Sequence, residues 1–254
     1  MKKLTALFIA IVFFAFPSFS DSLHIGLSGG YSYSNMEELN EAWEKAKDAA
    51  GTTQNASYTE FGNAVWGNLD ISVVFSEPFA AGIRSGGQYV FPAVFTETLD
   101  FNYNGSTYTA EIVDRTFYAV LVPAMAGFSA KFKIPDTETG IVLSAYGGWG
   151  FAYAAEQYES ALVPGYSFAI IYEGGAPMAD VSAAIEIPVF PFMLISVNAG
   201  CRFAEISGLK SKESFDIPGY GTIETGAGLT DIDDKDIALN FTGFNIGAGI
   251  NIRF

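Results

Sequence analysis

Apolar and polar residues alternate with a period of two along most of the chain. The clearest case is the final segment, whose apolar face consists of Phe244, Ile246, Ala248, Ile250, Ile252 and Phe254. The positions between them are glycine, asparagine or arginine. Successive side chains of a β-strand point to opposite faces, so this pattern predicts a strand with one apolar face and one polar or very small face.

Seven other segments alternate in the same way. The eight predicted strands cover residues 24–34, 62–76, 79–95, 115–132, 141–154, 178–189, 192–206 and 239–254. The central positions of their apolar faces hold no charged residue, although 16% of the chain is charged. The opposite faces carry Asp70, Arg84, Lys131, Asp180, Glu186, Arg202 and Arg253. One face of every strand therefore requires an apolar environment.

Short and long connections alternate between these strands. The short ones lie near residues 77–78, 135–140 and 188–191, and the long ones cover residues 35–61, 96–114, 155–177 and 207–238. Short turns at one end and long loops at the other are typical of a transmembrane β-barrel. The alternative is a soluble barrel or sandwich with its apolar faces turned inward. Aromatic residues near the strand ends and a glycine-rich second face favour the membrane barrel.

The N-terminus predicts export. Lys2 and Lys3 precede an uncharged apolar run at residues 4–16, and Ser18 and Ser20 follow at the small-residue positions of a cleavage site. Thirteen helical residues reach only about 20 Å, whereas a bilayer core is about 30 Å thick. We therefore expect a cleaved signal peptide at residues 1–20 and a barrel domain at residues 21–254.

Together, these features resemble bacterial outer-membrane β-barrel proteins of the eight-stranded, up-and-down type typified by the membrane domain of outer-membrane protein A. The terminal residues Ile250, Ile252 and Phe254 are similar to that family's recognition signal for the barrel-assembly machinery. The resemblance implies a location in the bacterial outer membrane and contact with its lipids. It also implies contact with the assembly machinery during insertion, and we expect a monomer.

The charged residues of the polar faces predict an interior ion-pair network. A tight turn near residues 77–78 sets Asp70 opposite Arg84 or its neighbour, with both side chains on the inward face. Asp180, Glu186 and Arg202 are candidates to extend this pair, and the sequence leaves their pairing open. Eight strands enclose a space that side chains or one small ligand can fill. We expect a structural role for the network rather than a gating role, because unpaired charge in the interior is costly.

Composition narrows the function further. The net charge of −15 disfavours binding to nucleic acid, whose phosphates would be repelled. A single cysteine, Cys201, excludes an intrachain disulfide, and a single histidine, His24, excludes zinc sites built on several histidines. His24 begins the first strand at the short-turn end. We therefore expect no enzyme activity, no metal and no cofactor.

Two of the long loops have features of their own. Residues 36–50 predict a helix with Leu39, Ala42, Trp43 and Ala46 on one face, which we expect to pack on the barrel rim or neighbouring loops. Its alternative role is a contact surface for a partner. The last long loop contains an acidic run, Asp231, Asp233, Asp234 and Asp236. We interpret the run as a solvated loop, with a calcium site as the alternative.

The sequence thus predicts an integral outer-membrane barrel with a structural or surface-interaction role. The alternative function is a narrow, porin-like path for a small solute.

Overall fold

The structure is a computed structural model that describes residues 23–49, 54–103, 106–160, 167–217 and 221–254. The predicted signal peptide lies outside these residues. Eight long strands dominate: β1 (Leu23–Ser34), β3 (Asn63–Ser76), β4 (Phe79–Tyr103), β5 (Ser106–Lys133), β6 (Gly140–Ser160), β7 (Ser167–Phe190), β8 (Met193–Ile206) and β13 (Gly243–Arg253). The remaining elements are helix α1 (Glu37–Ala49) and the short strands β2 (Gln54–Tyr58), β9 (Lys210–Ser211), β10 (Phe215–Ile217), β11 (Gly221–Ile223) and β12 (Leu239–Asn240).

The eight long strands pair in a ring. Each is antiparallel to two neighbours, in the order β1, β3, β4, β5, β6, β7, β8 and β13, and β13 pairs with β1 again. Apart from the short strand β2, this order follows the chain. The predicted fold class, an eight-stranded antiparallel up-and-down barrel, is confirmed. The ring satisfies backbone hydrogen bonds between strands, which an apolar environment requires.

The outward face of the ring is apolar. Leu27, Phe128 and Ile246 are 64%, 65% and 58% exposed. Exposed aromatic rings lie toward both ends of the strands, with Tyr31, Tyr33, Tyr89, Phe91, Tyr118 and Tyr153 at the long-loop end and Phe79, Phe128, Phe132, Phe190, Phe192 and Phe254 at the short-turn end. A belt of this size on a surface in water would be a large unfavourable apolar patch. Two aromatic girdles around an apolar band are the pattern of a barrel in a bilayer. Among the described residues, no helix is both long and apolar enough to cross a membrane.

Four strands are longer than the alternation predicts. β4 continues to Tyr103 instead of residue 95, and β5 starts at Ser106 instead of residue 115. β6 continues to Ser160, and β7 starts at Ser167. The hydrophobic pattern ends where the strands leave the apolar band, but the hydrogen-bond ladder does not depend on that pattern and continues beyond it.

The last predicted strand, residues 239–254, is interrupted. β12 pairs with β8 at Leu239 and Asn240, and β13 begins only at Gly243. The side-chain oxygen of Asn240 accepts a hydrogen bond from the backbone N–H of Thr242 at 2.9 Å. This local turn competes with the ladder and explains the break.

A folded cap fills the long-loop end of the barrel. We define the outer cap as helix α1, the described parts of the first and last long loops, and the ends of β4 to β7 around them. Its hydrophobic core includes Met36, Leu39, Trp43, Phe61, Phe95, Phe117, Leu229, Ile237, Leu239 and Phe241. The ring of Trp43 meets Phe61 and Phe95 edge to face, with centroids 4.8 and 5.4 Å apart. The apolar helix face predicted from the sequence therefore packs inward rather than facing a partner.

Candidate functional site

The predicted pair Asp70 and Arg84 lies midway inside the barrel. The two residues are register partners on β3 and β4. Arg84 Nε donates to Asp70 Oδ1 at 2.6 Å. The guanidinium also lies over the ring of Tyr146, 4.2 Å from its centroid. The ring and the carboxylate together fix the position of the arginine.

A second ion pair lies beside the first. Asp180 and Arg202 are register partners on β7 and β8, and Arg202 Nη2 is 2.9 Å from Asp180 Oδ2. Their side chains are 2% and 4% exposed. Arg84 Nη1 lies 3.7 Å from the same Asp180 oxygen, which links the two pairs. Two acidic and two basic groups therefore form one electrically neutral layer.

Gln88 extends this layer across the barrel. Arg202 Nη1 donates to Gln88 Oε1 at 2.8 Å, and Gln88 Nε2 donates to Ser34 Oγ at 2.6 Å. β4 and β8 are four strands apart in a ring of eight, so the contact between Arg202 and Gln88 spans the diameter of the lumen. Sequence reasoning missed Gln88 because it is uncharged. The alternation along β4 places residue 88 on the inward face, and this pattern could have identified Gln88.

Glu186 belongs to a separate layer nearer the short-turn end. Its carboxylate accepts from Lys131 Nζ at 2.5 Å and from Asn251 Nδ2 at 2.6 Å. It is six residues from Asp180 on the same strand, about 20 Å at about 3.3 Å per residue. Glu186, a candidate to extend the network of Asp70 and Arg84, instead contacts Lys131 and Asn251, because distance along the strand separates the two layers. Lys131 has the inward orientation that its register predicts.

A polar vestibule of about 470 Å³ extends from the layer of Asp70 and Arg84, past Glu186, to the short turns. It is lined by serine, asparagine and charged side chains, including Lys133 and Arg253. His24 also lines the vestibule, at the short-turn end where the sequence places it.

The outer cap contains a second cavity, which we call the outer cleft. It has a volume of about 560 Å³ and lies between helix α1, the barrel wall and the last long loop. Its walls include Leu39, Trp43, Phe117, Tyr158, Ile170, Tyr172, Leu229 and Ile237. Four charged residues also line it, namely Arg115 and the acidic residues Glu156, Glu224 and Asp231. Sequence reasoning missed Arg115 and Glu156, because the strand pattern does not show that helix α1 and the last long loop fold over them.

The acidic run is organised around Asp231. Asp231 Oδ2 accepts from Lys45 Nζ of helix α1 at 2.8 Å, and its Oδ1 accepts from the backbone N–H groups of Asp233 and Lys235 at 2.9 Å. The hydrogen bond from Lys45 is the main cause that lowers the pKa of Asp231 to about 2. Among the described residues, no three histidine, cysteine or acidic side chains are grouped to hold a metal ion.

Ile250 and Ile252 of the predicted assembly signal lie on the outward face of β13, and Phe254 directly follows that strand. Ile250 and Ile252 pair with Leu27 and Ile25 of β1. The backbone N–H of Phe254 donates to the carbonyl of Leu23 at 2.9 Å, and the Phe254 side chain is 70% exposed. The seam between the first and last strands is thus built by the residues that carry the motif.

The ring of pairings, the outward apolar band between two girdles and the polar interior define the class of this protein. It is a membrane-spanning β-barrel of the outer-membrane type.

The fold is similar to several solved structures. The match with the outer membrane protease OmpT of Escherichia coli covers 92% of this chain and 97% of that protein, at 9% identity and a TM-score of 0.48. The match with Neisserial surface protein A covers 92% of this chain and all of that protein, at 11% identity and a TM-score of 0.39. The match with Ail, the attachment invasion locus protein of Yersinia pestis, covers 91% of this chain and 98% of that protein, at 12% identity and a TM-score of 0.37. No family model and no curated protein matches the chain. The class assignment therefore rests on the pairing and the apolar band.

Proposed function

We propose that this protein is an integral outer-membrane barrel that uses its outer cap for surface interactions. The observation that carries the proposal is the hydrophobic core of the cap, which is built on strands that continue well beyond the apolar band. A barrel that only anchored itself or conducted solutes would not need a packed core at this end. Such a core fixes the shape of the surface that the loops present.

The charge of this surface indicates the kind of partner. The described residues of the four segments at the long-loop end, within 35–63, 92–117, 154–177 and 203–242, include 21 of the 28 acidic residues and 6 of the 13 basic residues. The net charge of these segments therefore equals that of the whole chain, −15, and the remaining residues are neutral overall. Complementary charge speeds association and like charge opposes it, so the cap favours partners with a positive surface.

The alternative function, a narrow path for a small solute, has less support. The layer of Asp70, Arg84, Asp180, Arg202 and Gln88 crosses the lumen, and the apolar core of the cap lies beyond it. The vestibule at the short-turn end is the feature that favours this alternative. Planar-bilayer recording separates the two functions, because an interaction protein gives no stable conductance above the protein-free bilayer. A stable open level would support the solute path.

A binding experiment tests the interaction role. We expect the purified barrel in detergent to bind a sensor coated with polylysine but not one coated with polyglutamate. Binding should weaken as salt rises from about 50 to about 300 mM, because screening shortens the range of the attraction. The double variant Asp233→Asn/Asp234→Asn should slow association severalfold.

The matched control removes two charges at the other end of the barrel. Asp136→Asn/Glu138→Gln changes two exposed acidic residues of a short turn. Asp136 and Asp234 both have a positive φ, near 60°, which asparagine also adopts, so the two variants carry similar backbone risk. Equal effects of the two variants, or binding that does not respond to salt, would contradict an interaction role for the cap.

The proposal includes a non-enzymatic role, a monomer in contact with outer-membrane lipids, and insertion by the assembly machinery through Ile250, Ile252 and Phe254. All three side chains are exposed, on β13 or directly after it, and this supports the last point.

A further inference from the structure

The outer cleft combines the features of a small-molecule site. Its volume of about 560 Å³ lies within the range of cavities that hold amino-acid-sized to drug-sized ligands. Aromatic and aliphatic side chains form most of the walls, and the charged lining consists of Arg115, Glu156, Glu224 and Asp231. Such a cleft selects ligands that have an apolar body and a small number of polar groups in fixed places.

Glu156 provides a buried negative group in this cleft. The residue is 8% exposed and lies on β6, three positions beyond Tyr153 of the outer girdle. Burial raises the pKa of Glu156, and the charge of Arg115 and a hydrogen bond with Tyr158 oppose the rise. A carboxylate in this position gains from an additional positive partner, because its own surroundings compensate its charge incompletely.

Arg115 provides a positive group whose hydrogen bonds are incomplete. Its guanidinium lies between the rings of Phe95 and Tyr158, 5.3 and 5.2 Å from their centroids. Its Nη2 reaches Glu97 Oε1 only at 3.5 Å. Its Nε is buried and has no hydrogen-bond partner among the described residues. The rings hold the guanidinium in place, and the long contact with Glu97 leaves its terminal nitrogens able to bind a further acceptor such as a carboxylate.

We propose that the outer cleft binds a small zwitterion of the amino-acid type with an aromatic or large aliphatic side chain. The ammonium group of the ligand pairs with Glu156, and its carboxylate accepts hydrogen bonds from Arg115. The apolar body packs against Trp43 and Tyr172. The proposal rests on the proposed function only in placing the cap outside the membrane, where such a solute has access.

A ligand series on the unmodified protein tests this site. L-phenylalanine carries both charges, phenethylammonium lacks the carboxylate, and 3-phenylpropionate lacks the ammonium. Binding to the barrel in lipid nanodiscs is measured by isothermal titration calorimetry, and empty nanodiscs serve as the blank. We expect saturable binding of L-phenylalanine at least tenfold tighter than that of either single-charge analogue, because each charge-assisted contact contributes to affinity.

Variants then test which residue binds each charged group of the ligand. Glu156→Gln should weaken the binding of L-phenylalanine at least tenfold and should remove the partner of the phenethylammonium charge. Arg115→Met should weaken the binding of L-phenylalanine and of 3-phenylpropionate. Glu159→Gln is the matched control, because Glu159 lies on the same strand with its side chain exposed to solvent. Ala46→Phe fills the cleft from helix α1 without changing a charge and should abolish binding.

Each outcome bears on the proposal. Absence of saturable L-phenylalanine binding overturns it, and so does equal affinity for either single-charge analogue. The ligand series needs no variant, so a folding defect in one variant does not remove the test. If only the cleft is misassigned, L-phenylalanine does not bind but polylysine binding remains. Loss of polylysine binding with L-phenylalanine binding retained would instead contradict the proposed surface role.

Discussion

At the scale of single residues, the interior layer shows how a barrel holds buried charge. Asp180 lies between two guanidiniums, 2.9 Å from Arg202 and 3.7 Å from Arg84. Ion pairs of this kind contribute little net stability compared with well-packed apolar residues, because desolvation offsets their attraction. Removing one partner is costly, since it leaves the other charge buried and uncompensated.

Arg202→Met should therefore destabilise the barrel. We expect the free energy of unfolding in lipid vesicles to fall by about 3 kcal/mol or more, because Asp180 then keeps only the longer contact with Arg84. Urea unfolding followed by the heat-modifiable shift in gel migration measures the change. The double variant Asp180→Leu/Arg202→Met should recover most of the loss.

Lys212→Met is the control for this prediction. Lys212 pairs with Glu173 at 2.7 Å, but both side chains are well exposed. Loss of an exposed pair should cost less than about 1 kcal/mol. If Arg202→Met cost no more than Lys212→Met, the interior pair would have no structural role.

Gly127 shows why small residues recur on the inward face. A Cβ at this position would meet the carbonyl oxygen of Ala145 and would lie 2.8 Å from the first ring carbon of Tyr146. Because Gly127 has no side chain, the ring of Tyr146 can lie beneath Arg84. A lumen this narrow holds aromatic and charged side chains because glycine faces them.

At the scale of elements, helix α1 is attached to the last long loop. Its apolar face packs in the core of the cap, and Lys45 on its exposed side pairs with Asp231. Glu38 makes a second link, because its carboxylate accepts the backbone N–H of Ala238 at 2.8 Å. These contacts join the first and last long loops, which are far apart in sequence.

The pKa of Asp231 reports the attachment of helix α1. It is lowered from 3.8 to about 2 in the folded protein, so the contact stabilises the cap fully above the unfolded pKa and loses this contribution as pH falls through about 2. Lys45→Met should move the pKa of Asp231 upward, because the hydrogen bond from Lys45 is the largest cause of the shift. Carboxyl ¹³C NMR titration measures the midpoint.

Lys47→Met serves as the comparison, since Lys47 is an exposed residue on the same helix. We expect it to leave the Asp231 midpoint unchanged. A midpoint that moved equally in both variants would mean that general helix charge, and not the contact with Lys45, sets the pKa.

At the scale of the whole molecule, the barrel is much taller than a bilayer. A strand of 28 residues such as β5 is roughly 90 Å long and rises roughly 70 Å at a tilt of about 40°. The apolar band of such barrels is about 25 Å high. The strands therefore form a membrane anchor at one end and the wall of the cap at the other.

Two lysine substitutions of similar exposure test where the membrane lies. Val181 is 43% exposed on the outward face of β7, and Ile232 is 53% exposed in the last long loop. Val181→Lys should destabilise the folded barrel in vesicles by about 2–4 kcal/mol, because it places a charge in the hydrocarbon. Ile232→Lys should change stability by less than about 0.5 kcal/mol. Equal tolerance of both would place Val181 in water and contradict the membrane orientation.

The alternation of residues such as Phe244 to Phe254 determined much of this protein without any tertiary information. Apolar side chains at every second position predict strand, face and membrane contact together, because a bilayer penalises any charge on that face. The register across the first short turn follows to within one residue, so Asp70 could be paired from sequence with Arg84 or its neighbour. The strand ends could not be predicted, because backbone pairing beyond the apolar band leaves no hydrophobic signature.

Only the tertiary structure decided which inward groups meet across the lumen. Arg202 reaches Gln88 on the opposite wall, and Glu186 pairs with Lys131 in its own layer, because the ring brings together strands that are distant in sequence. The outer cleft is also a tertiary feature: Arg115 and Glu156 line it only because helix α1 and the last loop fold over the strands that carry them. Local alternation encodes the side of the sheet on which a residue lies, whereas ring closure and loop packing determine its neighbours.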